Sequence, residues 1–238
     1  MQQYFAKSKT KDTIELEQKD LYHIFKVMRL KTGDNIRVCF ENTMYLCSII
    51  DENNNVKIES IIGEEKEKPK IVIYVPVVSD EKMSLIITKC IELGATEFIP
   101  IELSHCKYKL KEEDKKKKQV RWQRIAKESS EQSYRYSIPQ VKDIISIDNL
   151  SLDTNVNLLC SLDKEDVKPL SKVLTSSTVT DTISLLFGPE GGLTITEEEK
   201  LSNIGFIKVS LGKNVFRCET VPIYIVSVIS YLRGEVKC

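Results

Sequence analysis

Two apolar runs near the C-terminal end, Ile183–Phe187 and Phe206–Leu211, each lead into a short loop and then a helical pattern. Two strand–loop–helix units in succession leave few ways to fold. They pack as parallel strands with helices on the sheet faces, which puts both loops at the C-terminal edge where α/β sheets bind ligands. The first loop is Gly188-Pro189-Glu190-Gly191-Gly192. Its glycines give left-handed backbone freedom and let a ligand approach bare main chain, and Pro189 fixes one φ among them. Thr196-Glu197-Glu198-Glu199 then reads as a capping box with Thr196 as N-cap. The second loop spans Leu211 to Thr220, with Thr220 expected as N-cap and Pro222 in the first helical turn. The last helix carries Ile225, Val228, Ile229 and Leu232 on one face and is expected to stop near Gly234. The first loop matches neither the dinucleotide-binding nor the P-loop glycine pattern.

The alternation starts earlier. Ile71–Val78 reads as a strand, Lys82–Leu93 as a helix stopped at Gly94, Glu97–Ile101 as a strand and Arg121–Ser133 as a helix. Val156–Cys160 is the next strand, with a helix near Pro169–Leu174. This predicts a parallel sheet covered on both faces. Upstream the pattern differs. Tyr4-Phe5 reads as a short strand and Glu17–Leu30 as a helix carrying Leu21, Ile24, Phe25 and Met28. Lys31-Thr32-Gly33-Asp34 is a turn. Ile36–Phe40, Met44–Ile50 and Val56–Ile62 read as strands, with Asn53-Asn54-Asn55 at a hairpin. One helix and a run of strands suggest a small barrel. The charged, proline-ended stretch Gly63–Lys70 reads as a linker, which divides the chain into 1–68 and 69–238.

The formal net charge is zero, so nucleic-acid binding needs local basic patches rather than a whole-chain field. Lys107–Lys118, with four consecutive lysines at its end, admits two readings: a solvated loop or a surface for RNA phosphates. Seven cysteines without a C-x-x-C pair, and only His23 and His105 as histidines, argue against a disulfide framework or a metal site. No apolar run reaches the ~18 residues of a membrane span, and the polar N-terminus lacks a signal-peptide core. The expected location is cytoplasmic.

Taken in order, strand–GPEGG–capped helix and strand–LGxxxxRxET–helix resemble the C-terminal half of the SPOUT methyltransferases. Three further stretches narrow the resemblance. They are Glu131-Gln132-Ser133-Tyr134-Arg135 after Trp122, Arg124 and Ala126; Glu81-Lys82-Met83 followed by Lys89-Cys90-Ile91-Glu92-Leu93-Gly94; and His23–Lys31 followed by Gly33-Asp34. Together they resemble the RsmE family, the 16S rRNA (uracil-N3) methyltransferases, over nearly the whole chain.

The resemblance implies a PUA-like RNA-binding β-barrel over 1–68. Over 69–238 it implies a SPOUT-type α/β knot, a parallel sheet with a C-terminal trefoil knot. The implied protein is a homodimer that uses S-adenosyl-L-methionine, without metal, to methylate N3 of a uridine in 16S rRNA, in the assembled small ribosomal subunit. The cofactor is expected against backbone at Gly188, Gly191, Gly192 and Gly212, where side chains would take ligand space. Leu186, Phe187, Leu211, Val215 and Phe216 are expected as walls, with Leu162, Glu190 and Asn214 alongside. Glu190 is read as a loop brace ahead of a proton acceptor. Arg217 is the first choice for the uracil anion or its phosphate, with Arg135 and Glu131 as further catalytic candidates. RNA contacts are expected from His23, Arg29, Lys31, Lys82, Lys89 and Arg124. His23 reads equally well as a packing residue, and Ile225, Val228 and Ile229 as a dimer face or a core face. The chain departs from the family at Gln3, at His105-Cys106, and at Asn214 and Cys218, where relatives often carry arginine, Glu-Arg, arginine and threonine. Two alternatives stand beside this reading: a non-catalytic RNA-binding adaptor, and a SPOUT enzyme acting on tRNA or a ribose 2′-hydroxyl.

Overall fold

The computed structural model describes residues 1–162, 166–177 and 179–234, so Cys238 lies outside the described residues. It forms two compact units, one of Met1–Glu67 with Glu128–Ile138, the other of the remaining residues.

The first unit is a curled sheet of β1 (Gln3–Phe5), β2 (Ser8–Lys9), β3 (Thr13–Glu15), β4 (Asn35–Phe40), β5 (Thr43–Ile49) and β6 (Asn55–Glu64). Its order is β1-β4-β5-β6-β3-β2, antiparallel except for the β1–β4 pair. Alternation puts Ile36 and Val38 of β4 and Cys47 and Ile49 of β5 into one core with Tyr4, Ile14, Leu21 and Ile24. The expected long helix is instead α1 (Gln18–Tyr22) running into a π-helical turn, His23–Val27. The Met28 N–H reaches back five residues to the His23 carbonyl at 2.8 Å. This wider turn buries Ile24 while leaving Val27 and Met28 exposed. The segment 128–138 is held to the barrel by its own backbone: Gln3 Nε2 donates to the Arg135 carbonyl at 2.7 Å, and Cys39 Sγ to the Tyr136 carbonyl at 2.9 Å.

The second unit runs β7 (Ile71–Pro76), α2 (Asp80–Glu92), β8 (Glu97–Glu102), α3 (Glu112–Gln132, its last turn in the first unit), β9 (Gln140–Val141) and β10 (Ile145–Ser146). It continues with β11 (Val156–Cys160), β12 (Lys168–Pro169), α4 (Leu170–Ser176), β13 (Ile183–Phe187), α5 (Ile195–Ile204), β14 (Ile207–Ser210) and α6 (Thr220–Leu232). The sheet is parallel, ordered β10-β8-β7-β13-β11-β14-β12, with β9 beside β8. Every residue of β7 and β13 is buried, as for central strands covered on both faces. Each valine, isoleucine, leucine or phenylalanine among them contributes about 1.5–3 kcal/mol of burial. Strand β13 inserts between β7 and β11, and β14 between β11 and β12. The pairing Phe187–Cys160 and Cys160–Val209 brings the ends of β13, β11 and β14 to one level.

Several local expectations are corrected. The capping box belongs to Thr194 and Glu197, not Thr196 and Glu199. Helix α6 has Glu219 at its N-cap, without a side-chain cap bond, rather than Thr220. The lysine run is helical and paired: Lys115 with Glu102 and Glu112, Lys116 with Asp143, Lys117 with Asp114, and Lys118 with Asp80. On α6, Ile225 and Ile229 are buried within the chain and Val228 half-buried, so a dimer face cannot be built on the first two. Among the described residues, no helix is long and apolar enough to cross a membrane.

Candidate active site

The ends of β11, β13 and β14 and the first turn of α2 enclose a crevice of about 840 Å³, within the range of small-molecule sites. Its walls are the two glycine loops. The loop after β13 contributes Phe187 through Leu193, and the loop after β14 contributes Ser210 through Cys218.

The glycines divide into two kinds. Gly192 and Gly212 have φ of +73° and +126°, and an added Cβ would meet nothing within 4 Å, so bare main chain faces open space there. Gly188 and Gly191 serve the packing of the loop itself. A Cβ on Gly188 would lie 2.9 Å from the Gly192 carbonyl carbon, and one on Gly191 2.9 Å from His105 Cβ. The expectation that all four leave ligand space is corrected for these two. The loop is braced from behind, where His105 Nδ1 and the Gly192 carbonyl lie 3.1 Å apart. Buried Glu197 accepts from the Ser104 N–H at 2.7 Å and the Thr194 N–H at 2.8 Å. Burial pushes the Glu197 carboxyl up, but the hydrogen bonds from Thr194 and Ser104 outweigh it and hold the pKa below its ordinary value.

One cation joins the two walls. Lys82 Nζ lies 2.7 Å from Glu190 Oε1 and 3.1 Å from Glu219 Oε2. Cys218 Sγ is 3.7 Å from the same nitrogen and donates to Glu219 Oε2 at 3.2 Å. Glu190 raises the Lys82 pKa, with Glu219 adding to the effect, and Lys82 lowers that of Glu190. For Glu219, burial raises the pKa but backbone hydrogen bonding, Cys218 and Lys82 bring it below its ordinary value. Burial and the Glu219 carboxylate push the Cys218 thiol up to about 11. Opposite, Ser161 Oγ donates to Glu198 at 2.8 Å, and Lys208 pairs with Glu198 at 3.1 Å. Arg217 is exposed on the crevice wall, and among the described residues its side chain has no hydrogen bond or ion pair.

Comparison with known proteins places this geometry. Residues 65–230 match the family model of the RNA methyltransferase domain, and residues 16–59 that of the RNA methyltransferase PUA domain. A ribosomal RNA small subunit methyltransferase E of Bacillus subtilis is 34% identical, covering 99% of this chain and 100% of the relative. The chain belongs to the ribosomal RNA small subunit methyltransferase E family. The relative of that name from Buchnera aphidicola subsp. Schizaphis graminum is 31% identical over 93% of this chain and 92% of its own. The crystal structure of the Neisseria gonorrhoeae methyltransferase E, bound to S-adenosyl methionine, has the same fold, with a TM-score of 0.81, 24% identity and 98% of each chain covered.

Of the residues expected at the cofactor, Leu162, Phe187, Gly188, Glu190, Gly191, Gly192, Leu211, Gly212, Asn214, Val215 and Phe216 line this crevice. Leu186 does not; it is packed in the core with Tyr74 and Phe206. Lys82, expected at RNA, lines the crevice instead. Lys89 pairs with Glu92 at 2.9 Å on the same helix, and Arg124 is exposed. In the first unit Arg29 and Lys31 are exposed, and His23 shares a 2.9 Å hydrogen bond with the Tyr4 hydroxyl. Glu131 and Arg135 belong to that unit. Gln3 is fully buried, so no RNA contact comes from that position. Ser161 and Ser210, which no motif singled out, line the crevice, as do Glu198 and Cys218. Only the position of Ser161 just after β11 and of Ser210 at the end of β14 pointed to those two.

Proposed function

We propose that the chain is an S-adenosyl-L-methionine-dependent methyltransferase acting on N3 of a uridine in 16S rRNA, in the assembled small ribosomal subunit. The observation that carries this is the crevice itself: two loops from the strands that flank β11, with open main chain at Gly192 and Gly212 and, on the wall, an arginine that has no ion pair among the described residues. Its volume and backbone-lined walls fit a nucleoside-sized cofactor. When bound, S-adenosylmethionine supplies an activated methyl group. The chain's task is to hold the reactants in line and to favour the uracil anion, since N3 is protonated at neutral pH. Arg217, always charged and without a carboxylate partner among the described residues, is assigned to that anion or its phosphate. Glu190 is assigned a bracing role, because a carboxylate held ionised by Lys82 is a weaker base than a free one.

Arg135 and Glu131 are assigned to the RNA substrate, as are Arg29, Lys31 and Arg124. Arg29 has a left-handed φ of +55°, a conformation uncommon outside glycine and often found at functional positions. We centre RNA recognition on 1–68, with Arg124, Glu131 and Arg135 adding to it, and assign methyl transfer to 69–238, with a trefoil knot supported by the late insertion of β14 between β11 and β12. A homodimer would use Tyr224, Tyr231 and Leu232, the exposed apolar residues of α6. The proposed location is cytoplasmic.

The test is methyl transfer from labelled S-adenosylmethionine to small subunits lacking the modification, followed by mapping of the product. A methyl on uracil N3 is the expected result. Label on a ribose hydroxyl, or none on either subunits or naked rRNA, would refute it.

A further inference from the structure

We propose that Lys82 is a latch that fixes the two cofactor loops relative to each other, a positioning residue for the methyl donor rather than an RNA contact. The inference rests on the reading of the crevice as the S-adenosylmethionine site.

The placement of Lys82 is costly for its own helix. It is the third residue of α2, whose first turn also holds Asp80 and Glu81 and whose N-cap Ser79 accepts from the Lys82 N–H. The positive end of a helix dipole disfavours a cation there. A residue that breaks a local rule points to a purpose elsewhere. That purpose is visible in its contacts. Glu190 comes from the loop after β13, Glu219 from the loop after β14, and Lys82 from the first turn of α2, the helix that follows β7. One ammonium has three N–H groups, enough for both carboxylates and the Cys218 sulfur at 3.7 Å. The three charged side chains are 27%, 30% and 16% exposed, so the cluster is neither fully screened nor fully desolvated.

The latch matters because of what it positions. Both loops turn through left-handed glycines, the most permissive backbone available. A cofactor read by main chain depends on where that main chain lies, with no rotamer to adjust. Holding the walls in place before binding removes an ordering cost that would otherwise reduce affinity.

Titration calorimetry of S-adenosylmethionine against the full chain tests this. Lys82→Met should weaken binding about tenfold, a typical coupling between two elements. Lys82→Arg should keep most of the affinity, since a guanidinium also bridges two carboxylates. Glu190→Gln alone, which leaves Lys82 in place, should cost several-fold and covers the case in which Lys82→Met fails to fold. The deciding measurement is Lys82→Met in a Glu190→Gln/Glu219→Gln background, where a latch has nothing left to hold and the added loss should fall below about twofold. An undiminished loss there would mean that Lys82 touches the cofactor directly and would overturn the latch. Wild-type affinity in both Lys82→Met and Glu190→Gln would overturn it too. No binding by the unmodified chain would instead refute the crevice as the cofactor site, and the latch with it.

Discussion

Replacing Gly191 by alanine puts a methyl carbon 2.9 Å from His105 Cβ and 3.3 Å from its Cγ. Non-bonded carbons settle at about 3.5–4.0 Å, so the first contact falls short by roughly 0.6 Å. Rotating the histidine does not relieve it, because Cβ is fixed to the backbone. The backbone beside it is also tied: the Ser104 N–H is held by buried Glu197, which caps α5 as well. Overpacking of this size costs about 1–3 kcal/mol, and the glycine loop is the part that can yield. That loop forms the crevice wall with its main chain, so a shift misplaces the groups that would meet the cofactor. A loss of about 1.4 kcal/mol corresponds to tenfold in affinity. Calorimetry with S-adenosylmethionine should therefore show Gly191→Ala binding at least tenfold more weakly. Adding His105→Gly removes the obstructing carbon and should recover most of the loss, short of the share due to the lost contact with the Gly192 carbonyl. Unchanged affinity in Gly191→Ala, or no recovery in a folded double variant, would show that the glycine faces the ligand instead.

Arg217→Ala should leave cofactor affinity within about twofold while slowing single-turnover methyl transfer about 100-fold, the scale of one lost transition-state donor; equal rates would remove its role. Exchanging Lys115 through Lys118 for glutamine should change the salt slope of RNA binding by less than about 1, since all four lysines pair within the chain. A drop of three or four in that slope would restore them as phosphate contacts. Acid should open the latch. The Glu190 and Glu219 pKa values are lowered from 4.5, so their contribution is present above that pH and lost as pH falls through the lowered values. The Lys82 pKa is raised, so its share is lost only as pH rises through a value above 10.5. Cofactor affinity should be flat through neutrality and fall below about pH 4.5, and Glu190→Gln/Glu219→Gln should abolish that acid limb; an identical profile in both proteins would contradict the assignment.

The strands Val156–Cys160 and Ile183–Phe187 were legible to the residue, because central parallel strands are continuous apolar runs bounded by turn residues. The position of the crevice followed from the loops after β13 and β14. What failed to show in the sequence depends on distant partners. Thr194 and Thr196 each precede a glutamate by three residues, and local pattern cannot choose between them. Glu197 decides it by also accepting the Ser104 N–H, 93 residues away in sequence. The lysine run read equally as a solvated loop or an RNA surface, because Glu102, Asp143 and Asp80, which neutralise three of its four members, lie elsewhere in the chain. Lys82 matched a family motif, but its two carboxylates, 108 and 137 residues on, were visible only in three dimensions.

The order of the parallel sheet has a consequence for how the chain is made. Strands β13 and β14 enter slots whose flanking strands precede them in sequence. Until they emerge from the ribosome, β7 and β11 carry open edges, which are templates for wrong pairing. Such long-range pairings also form slowly. The second unit is therefore expected to reach its native state only after synthesis is complete, and to be most prone to aggregation just before its last third arrives.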